Sequence, residues 1–197
     1  MLWVWEISVN PACFRWGTSL PEFVRACRLA GFAAVEVSIQ QAVSLAKELG
    51  GIGALERWRE SEQVVVTQFS GILPSGPVLP APLLMAEPDF RAAVASVHQR
   101  LEAAGALGCR RAAVVVNPRS GHPRDVAADI ALHRLGILSD AAAGYGIRLA
   151  VEYIGVTRGL GPDLTGAFPF IENLEDVDRL VAQCGRRNVR CVRWRSA

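Results

Sequence analysis

The segment that decides the fold is Ile147–Gly155, I-R-L-A-V-E-Y-I-G. Its aliphatic and β-branched residues predict a β-strand, which ends at Gly155. Glu152 lies inside this strand, although a carboxylate in a buried strand is unfavourable unless it is paired or binds a ligand. The sequence therefore predicts a strand that carries an ion-paired or functional carboxylate near its C-terminal end.

Strand and helix patterns alternate along the rest of the chain. The predicted strands are Leu2–Val9, Phe32–Ile39, Val64–Phe69, Arg111–Asn117, Ile147–Ile154 and Val189–Trp194. The predicted helices cover residues 20–29, 42–49, 55–59, 89–106, 125–144 and 174–184, with Ser19 and Asn173 as N-caps. Nearly continuous apolar strands that alternate with helices predict a parallel sheet covered on both faces.

A proline-rich segment, residues 72–88, separates the third predicted strand from the next long helix. Its five prolines prevent regular strand pairing, because proline has no backbone N–H to donate. A loop of this length is either a cover over a site or a surface excursion, and the sequence leaves both interpretations open.

Two observations favour a (βα)8 barrel over an open doubly wound sheet. No strand–helix junction carries the glycine patterns G-x-G-x-x-G or G-x-x-x-x-G-K-[ST] of nucleotide-binding sheets. Polar residues recur where strands end, and these ends meet at one mouth of a barrel; they are Asn10, Gln68, Ser70, Asn117 and Glu152. A complete barrel needs about 250 residues, so the length of 197 residues predicts an incomplete barrel.

Composition indicates one domain, residues 1–197, without a membrane or nucleic-acid partner. The chain is 51% hydrophobic, and its net charge of +2 is close to balanced. Its start, M-L-W-V-W-E-I-S-V, does not have the pattern of a signal peptide, and no apolar run approaches the roughly 20 residues of a membrane span. Five scattered cysteines indicate free thiols in a reducing compartment, so a cytoplasmic location is expected.

A series of four motifs extends over nearly the whole chain up to Val189. The motifs are G-F-A-A-V-E-V (Gly31–Val37), L-E-A-A-G-A-L-G-C-R-R-A-A-V-V-V (Leu101–Val116), G-I-R-L-A-V-E-Y-I-G (Gly146–Gly155) and the segment Phe170–Val189. In order and spacing they resemble the xylose isomerase-like TIM barrels, which include sugar and sugar-phosphate isomerases and epimerases. The resemblance implies aldose–ketose isomerisation or epimerisation of a small sugar-like substrate by proton transfer, with Mn²⁺, Mg²⁺ or Co²⁺ as cofactor.

The same resemblance implies that Glu152 is a metal ligand and a catalytic carboxylate at the end of the fifth strand. The alternative is a strand-end carboxylate bonded to backbone amides or to an arginine. Substrate-binding roles are predicted for Glu36, Asn10, Asn117, His122 and Arg158. Their alternatives are a salt-bridged interior carboxylate for Glu36, turn geometry for the two asparagines, and a solvated loop charge for Arg158. His122 is also a candidate for proton transfer or metal ligation.

The sequence departs from the family pattern after Val189. Trp194 stands near the place where the resemblance implies an aspartate ligand, and residues 190–197 form an atypical arginine-rich tail. We expect a barrel truncated after its sixth strand, with an out-of-frame tail and without most metal ligands. Two hypotheses follow: an isomerase or epimerase, or a non-catalytic barrel fragment that acts as a binding or assembly module. The fragment is expected either to cover its open edges in a homo-oligomer or to be poorly stable.

Overall fold

The computed structural model describes residues 7–15, 17–74, 83–154 and 166–191. The helices in these ranges are α1 (Leu20–Leu29), α2 (Ile39–Leu49), α3 (Ile52–Glu62), α4 (Glu87–Ala95), α5 (Val97–Ala106), α6 (Arg124–Ala143) and α7 (Leu174–Cys184). The strands are β1 (Ser8–Val9), β2 (Ala34–Ser38), β3 (Val65–Ser70), β4 (Arg111–Val116), β5 (Arg119–Ser120), β6 (Arg148–Tyr153), β7 (Phe168–Pro169) and β8 (Val189–Cys191). A short 3₁₀ helix, Pro11–Cys13, follows β1.

Six strands form one parallel sheet in the order β1-β2-β3-β4-β6-β8. Neighbouring strands follow one another along the chain and are separated by helices, as in the first part of a (βα)8 barrel. Within the described ranges β1 and β8 are the two edges and do not pair with each other, so the sheet is open. The predicted α/β, TIM-barrel-like and incomplete architecture is therefore confirmed.

Local side-chain signals set the starts of two helices. At the start of α1, the Ser19 hydroxyl accepts from the Glu22 N–H at 3.4 Å, and the Glu22 carboxylate accepts from the Ser19 N–H at 3.0 Å. At the start of α7, Asn173 Oδ1 accepts from the Asp176 N–H at 2.9 Å. These contacts satisfy N–H groups that have no partner within the helix, and both predicted N-caps are confirmed.

The prediction of one helix over residues 89–106 is wrong, because the segment is divided at Ser96, where φ is −106° and ψ is 8°. The buried Arg100 side chain donates to Ser96 Oγ at 2.8 Å, to the Ala93 carbonyl, and to the Ile72 carbonyl at 2.8 Å. In a continuous helix the Ala93 carbonyl would accept from the N–H four residues later. Arg100 therefore stabilises the break and connects it to the start of the proline-rich segment.

The end of the proline-rich segment is held against β4 and α6, while residues 75–82 lie outside the described ranges. The Leu83 N–H donates to the Val115 carbonyl at 2.9 Å. The buried Arg134 guanidinium donates to the carbonyls of Leu83 and Met85 at 2.8 and 2.6 Å. Buried arginines thus hold both ends of the segment, because Arg100 binds the Ile72 carbonyl at its start and Arg134 binds the carbonyls near its end.

A two-stranded antiparallel ribbon, β5 with β7, lies outside the main sheet and was not predicted. Two residues per strand are too few to produce a periodic pattern in the sequence. No helix in the described part of the chain has the length and apolar character needed to cross a membrane.

The two faces of the main sheet differ in character. Val35 and Val37 of β2 and Val151 of β6 are buried in the hydrophobic core formed with the helices. Because side chains alternate along a strand, Glu36 and Glu152 point to the opposite face, which is the interior side of the barrel. The fold therefore places the two predicted glutamates on the same side of the sheet.

Candidate functional site

Asn10 and Glu36 are joined at the C-terminal ends of β1 and β2. Asn10 Nδ2 donates to Glu36 Oε2 at 2.7 Å. The Asn10 Oδ1 accepts from the Ala12 N–H at 2.8 Å and so caps the 3₁₀ helix. Because its oxygen is held by the backbone, the amide nitrogen is directed at the carboxylate. Asn10 thus combines the turn role with a contact to a second predicted site residue.

The Glu36 carboxyl is half-buried and carries a perturbed pKa. Burial raises its pKa, the hydrogen bond from Asn10 lowers it, and the negative charge of Glu152 raises it, with a net increase. Among the described residues no lysine, arginine or histidine forms an ion pair with Glu36. The salt-bridged alternative considered for this residue is therefore absent from the described part of the chain.

Glu152 lies near the end of β6, opposite Val115 of β4. Its side chain reaches solvent at the open side of the sheet, yet the surrounding protein removes enough water to raise its pKa. Within the ranges that the structure covers, its carboxylate has no hydrogen bond and no ion pair. The alternative in which backbone amides or an arginine bind Glu152 is likewise not found there.

The structure also describes two of the other predicted site residues, Asn117 and His122. Asn117 is buried, and its Oδ1 accepts from the Leu84 N–H at 2.9 Å, so it orders the end of the proline-rich segment. His122 is exposed, and its backbone N–H donates to Ser120 Oγ at 3.0 Å. Within the described ranges the His122 side chain forms no hydrogen bond or ion pair with Glu36 or Glu152. Arg158 lies outside the described ranges, and the substrate-binding roles of all three stay predictions.

The described residues do not fit a complete divalent-metal site. Nowhere in the described ranges do three or more histidine, cysteine, aspartate or glutamate side chains come together to hold a metal ion. Glu36 and Glu152 alone supply fewer oxygen ligands than Mg²⁺ or Mn²⁺ ordinarily takes from a protein and its waters. The role of Glu152 as a metal ligand accordingly stays a prediction.

Gln68 is a further polar residue at this end of the sheet, and the sequence-based choice of site residues omitted it. It lies opposite Glu36 in the pairing of β2 with β3. The sequence alone does not reveal its direction, because only the structure shows that Val66 and Phe69, which are three residues apart, are both buried. Strict alternation in a strand requires an even spacing for residues on one face, so this spacing indicates an irregularity.

Glu36 and Glu152 lie on one face of the sheet, on strands β2 and β6, which are separated by β3 and β4. Among the described residues neither carboxylate forms an ion pair with a cationic side chain. Each carboxyl has a pKa above its ordinary value, mainly because of burial, and the charge of Glu152 further raises the pKa of Glu36. Because the charge of Glu152 opposes ionisation of Glu36, the two carboxyls can take the different roles of proton acceptor and proton donor.

Sequential parallel strands with polar residues at their C-terminal ends define a TIM-barrel-type protein. A xylose isomerase domain protein from Alicyclobacillus acidocaldarius subsp. acidocaldarius is similar, with 20% identity and a TM-score of 0.76 over 95% of this chain and 62% of that chain. An IolI protein with a bound zinc atom has 16% identity and a TM-score of 0.72 over 94% and 61%. The 3-keto-D-glucoside 4-epimerase YcjR from E. coli has 16% identity and a TM-score of 0.70 over 94% and 66%.

The chain has the fold of the xylose isomerase-like TIM barrels, and the resemblance seen in the four sequence motifs is confirmed at the level of fold. It spans between 61% and 66% of the length of these three structures. No family model matches the sequence, and no curated protein matches it. At 16% to 20% identity the likeness concerns the architecture alone.

Proposed function

We propose that this chain is an isomerase-type or epimerase-type barrel that binds a small sugar-like substrate and moves a proton between its adjacent carbons. One observation carries the proposal: Glu36 and Glu152 lie at one end of the sheet, interact electrostatically, and both have a raised pKa. The similarity in fold to a 3-keto-D-glucoside 4-epimerase supports the choice of substrate class. Active sites of these barrels lie at this end of the strands.

In the proposed reaction Glu152 is the base and Glu36 is the acid. Burial and the charge of Glu152 both raise the pKa of Glu36, and in the proposed reaction Glu36 carries the proton and Glu152 the negative charge. The Glu152 carboxylate removes the proton from the carbon next to the substrate carbonyl. Glu36 donates a hydrogen bond to the carbonyl oxygen and stabilises the negative charge that develops there. For isomerisation, Glu152 returns the proton to the neighbouring carbon, while Glu36 gives its proton to the original carbonyl oxygen and takes one from the neighbouring hydroxyl, which becomes the new carbonyl. Epimerisation instead requires that the same carbon receive a proton from its opposite face, with water as the donor.

Asn10 has a positioning role in this proposal. Its oxygen is bonded to the Ala12 N–H, and its nitrogen is bonded to Glu36. The Asn10 amide therefore holds Glu36 in one orientation, while its donated hydrogen bond limits the rise of the Glu36 pKa. An Asn10→Ala variant is expected to have a higher Glu36 pKa and a less ordered carboxyl group.

Exchange of substrate hydrogen with solvent tests the proposal directly. The protein is incubated in D₂O with a panel of ketoses and aldoses, including D-fructose and D-xylose, and loss of the C–H signal next to the carbonyl is followed by NMR. Glu152→Gln is expected to slow the exchange by about 10²–10⁴-fold, the usual contribution of a general base. Glu56→Gln, which changes an exposed glutamate on α3, is the matched control and is expected to leave the rate unchanged. Equal rates for Glu152→Gln and the unaltered protein would refute the role of Glu152.

A second candidate, a non-catalytic barrel fragment that binds or assembles, is favoured by two other observations. The described residues lack a three-ligand metal cluster, and β1 and β8 are unpaired edges of the described sheet. Unpaired strand edges are templates for association, and we propose a second copy of the chain as their cover. Sedimentation equilibrium distinguishes the candidates, because this alternative requires a dimer or larger species together with no hydrogen exchange in any sugar.

A further inference from the structure

The sheet contains an irregularity directly beside Glu36. Pairing of β2 with β3 is regular up to Val35 and then skips Thr67, so that Glu36 lies opposite Gln68. The Thr67 Oγ1 is 2.6 Å from the Ser8 Oγ of β1, and β2 lies between the strands of these two residues. The two side chains therefore meet across the interior face of β2, and Thr67 lies on that face. An extra residue of this kind is a β-bulge, which changes the direction of the side chains that follow it.

The bulge turns Gln68 toward the side of the sheet that carries Glu36. In a regular strand Thr67 would pair with Glu36, and Gln68 would point to the helix-covered face. The burial of the strand agrees with the altered direction. Val66 and Phe69 are buried, whereas Thr67 and Gln68 between them are both half-buried.

The Gln68 side-chain amide has no hydrogen bond to any residue that the structure describes. A half-buried amide requires water or a ligand as its partner, because it carries two donor hydrogens and an acceptor oxygen. The neighbouring amide of Asn10 is committed on both sides, to Ala12 and to Glu36. Gln68 is therefore an available amide next to the Glu36 residue on the neighbouring strand.

We propose that Gln68 is a substrate-binding residue that selects ligands with hydroxyl groups on neighbouring carbons. Its amide oxygen accepts from one hydroxyl, and its amide nitrogen donates to the next, while Glu36 lies beside the same carbons. This inference rests on the proposed sugar-directed function and adds a specificity determinant to it. An amide suits a polyol because each hydroxyl both donates and accepts a hydrogen bond.

Calorimetric titration with D-fructose, D-xylose, D-glucose and 2-deoxy-D-glucose tests the assignment. The sugar that the unaltered protein binds best is titrated into Gln68→Ala and into Gln183→Ala, a matched change at an exposed position on α7. Gln68→Ala is expected to weaken binding by about tenfold, as for the loss of one to two hydrogen bonds. Gln183→Ala is expected to bind as the unaltered protein does, and circular dichroism verifies that both variants are folded.

The outcomes separate this inference from the proposed function. Sugar binding that is equally strong in Gln68→Ala and the unaltered protein would overturn the role of Gln68 and leave the proposed function intact. Absence of binding of every sugar by the unaltered protein would overturn both. If D-glucose is bound, a smaller effect of Gln68→Ala on 2-deoxy-D-glucose than on D-glucose would support contact with the 2-hydroxyl. If Gln68→Ala weakens the binding of D-glucose and of 2-deoxy-D-glucose by the same factor, Gln68 contacts hydroxyl groups other than the 2-hydroxyl.

Discussion

Replacing Gly71 with alanine is expected to disturb the mouth of the sheet more than backbone conformation alone explains. Gly71 follows β3, is buried, and has a φ of +85°. A Cβ at this position would lie 2.3 Å from Oε1 of Gln40. The Gln40 Nε2 donates to the Gly71 carbonyl at 3.0 Å, so the side chain that must move is the one that satisfies this carbonyl.

The expected cost has two parts. Left-handed backbone strain for alanine contributes about 1–2 kcal/mol. The Gln40 amide is the end of a flexible side chain and moves away, but the buried Gly71 carbonyl then loses its partner, at about 1–3 kcal/mol. The sum is a loss of about 2–5 kcal/mol in the free energy of unfolding. Gly31→Ala isolates the first part, because Gly31 has a φ of +86° and no atom within 4 Å of its Cβ position.

Urea unfolding followed by circular dichroism measures both variants. The loss in the free energy of unfolding is expected to be larger for Gly71→Ala than for Gly31→Ala, and the difference is the cost of the lost hydrogen bond. In a Gln40→Ala background the loss caused by Gly71→Ala is expected to fall to the cost of backbone strain alone. Equal losses for Gly71→Ala and Gly31→Ala, or an unchanged cost in the Gln40→Ala background, would refute the reasoning.

Buried charges give two further predictions and the strand-end carboxylates a third. Burial raises the pKa of Asp176, but the Glu172 N–H and two arginines outweigh it and hold that pKa below its ordinary value. The Asp176 carboxylate therefore stabilises the fold above the ordinary aspartate pKa, and this stabilisation is lost as the pH falls through the pKa of the folded state. Urea unfolding between about pH 2 and pH 6 should show a free energy of unfolding that depends less on pH in Asp176→Asn than in the unaltered protein. An unchanged pH dependence would contradict this. Arg134→Met is expected to lose about 2–5 kcal/mol in urea unfolding, because it leaves two carbonyls of the proline-rich segment without their donor; a loss under about 0.5 kcal/mol would contradict this. Mn²⁺ is expected to bind only in about the millimolar range by calorimetry, and tighter binding that disappears in Glu152→Ala would mean that residues outside the described ranges complete a site.

The order of elements and the helix starts were predictable because their signals are local. The capping residues Ser19 and Asn173 act within three residues of themselves, so their role is readable without tertiary structure. The strands that carry Glu36 and Glu152 were likewise marked by continuous apolar runs. The sequential parallel order then places their C-terminal ends at one side of the sheet.

Features that depend on distant contacts were not predictable. Residues 89–106 have good helical character, and only the contact of Arg100 with Ile72 shows why the helix breaks at Ser96. The direction of Gln68 depends on where β3 departs from regular pairing with β2. The effect of the Glu152 charge on the pKa of Glu36 depends on the distance between the two residues in space, which their distant positions in the sequence do not reveal.

In the parallel sheet each strand after β1 pairs with the sheet strand that precedes it in the chain, so the sheet can assemble in the order of synthesis. The ribosome releases β1, β2 and β3 first, and these can pair while later segments are still being translated. Pairing between successive units keeps loop closures short for a parallel sheet, which favours rapid folding. Each new βα unit also covers the strand edge that the previous one exposed. At each stage the nascent sheet therefore has two unpaired edges, β1 and the strand made last, and the strands between them are protected from aggregation.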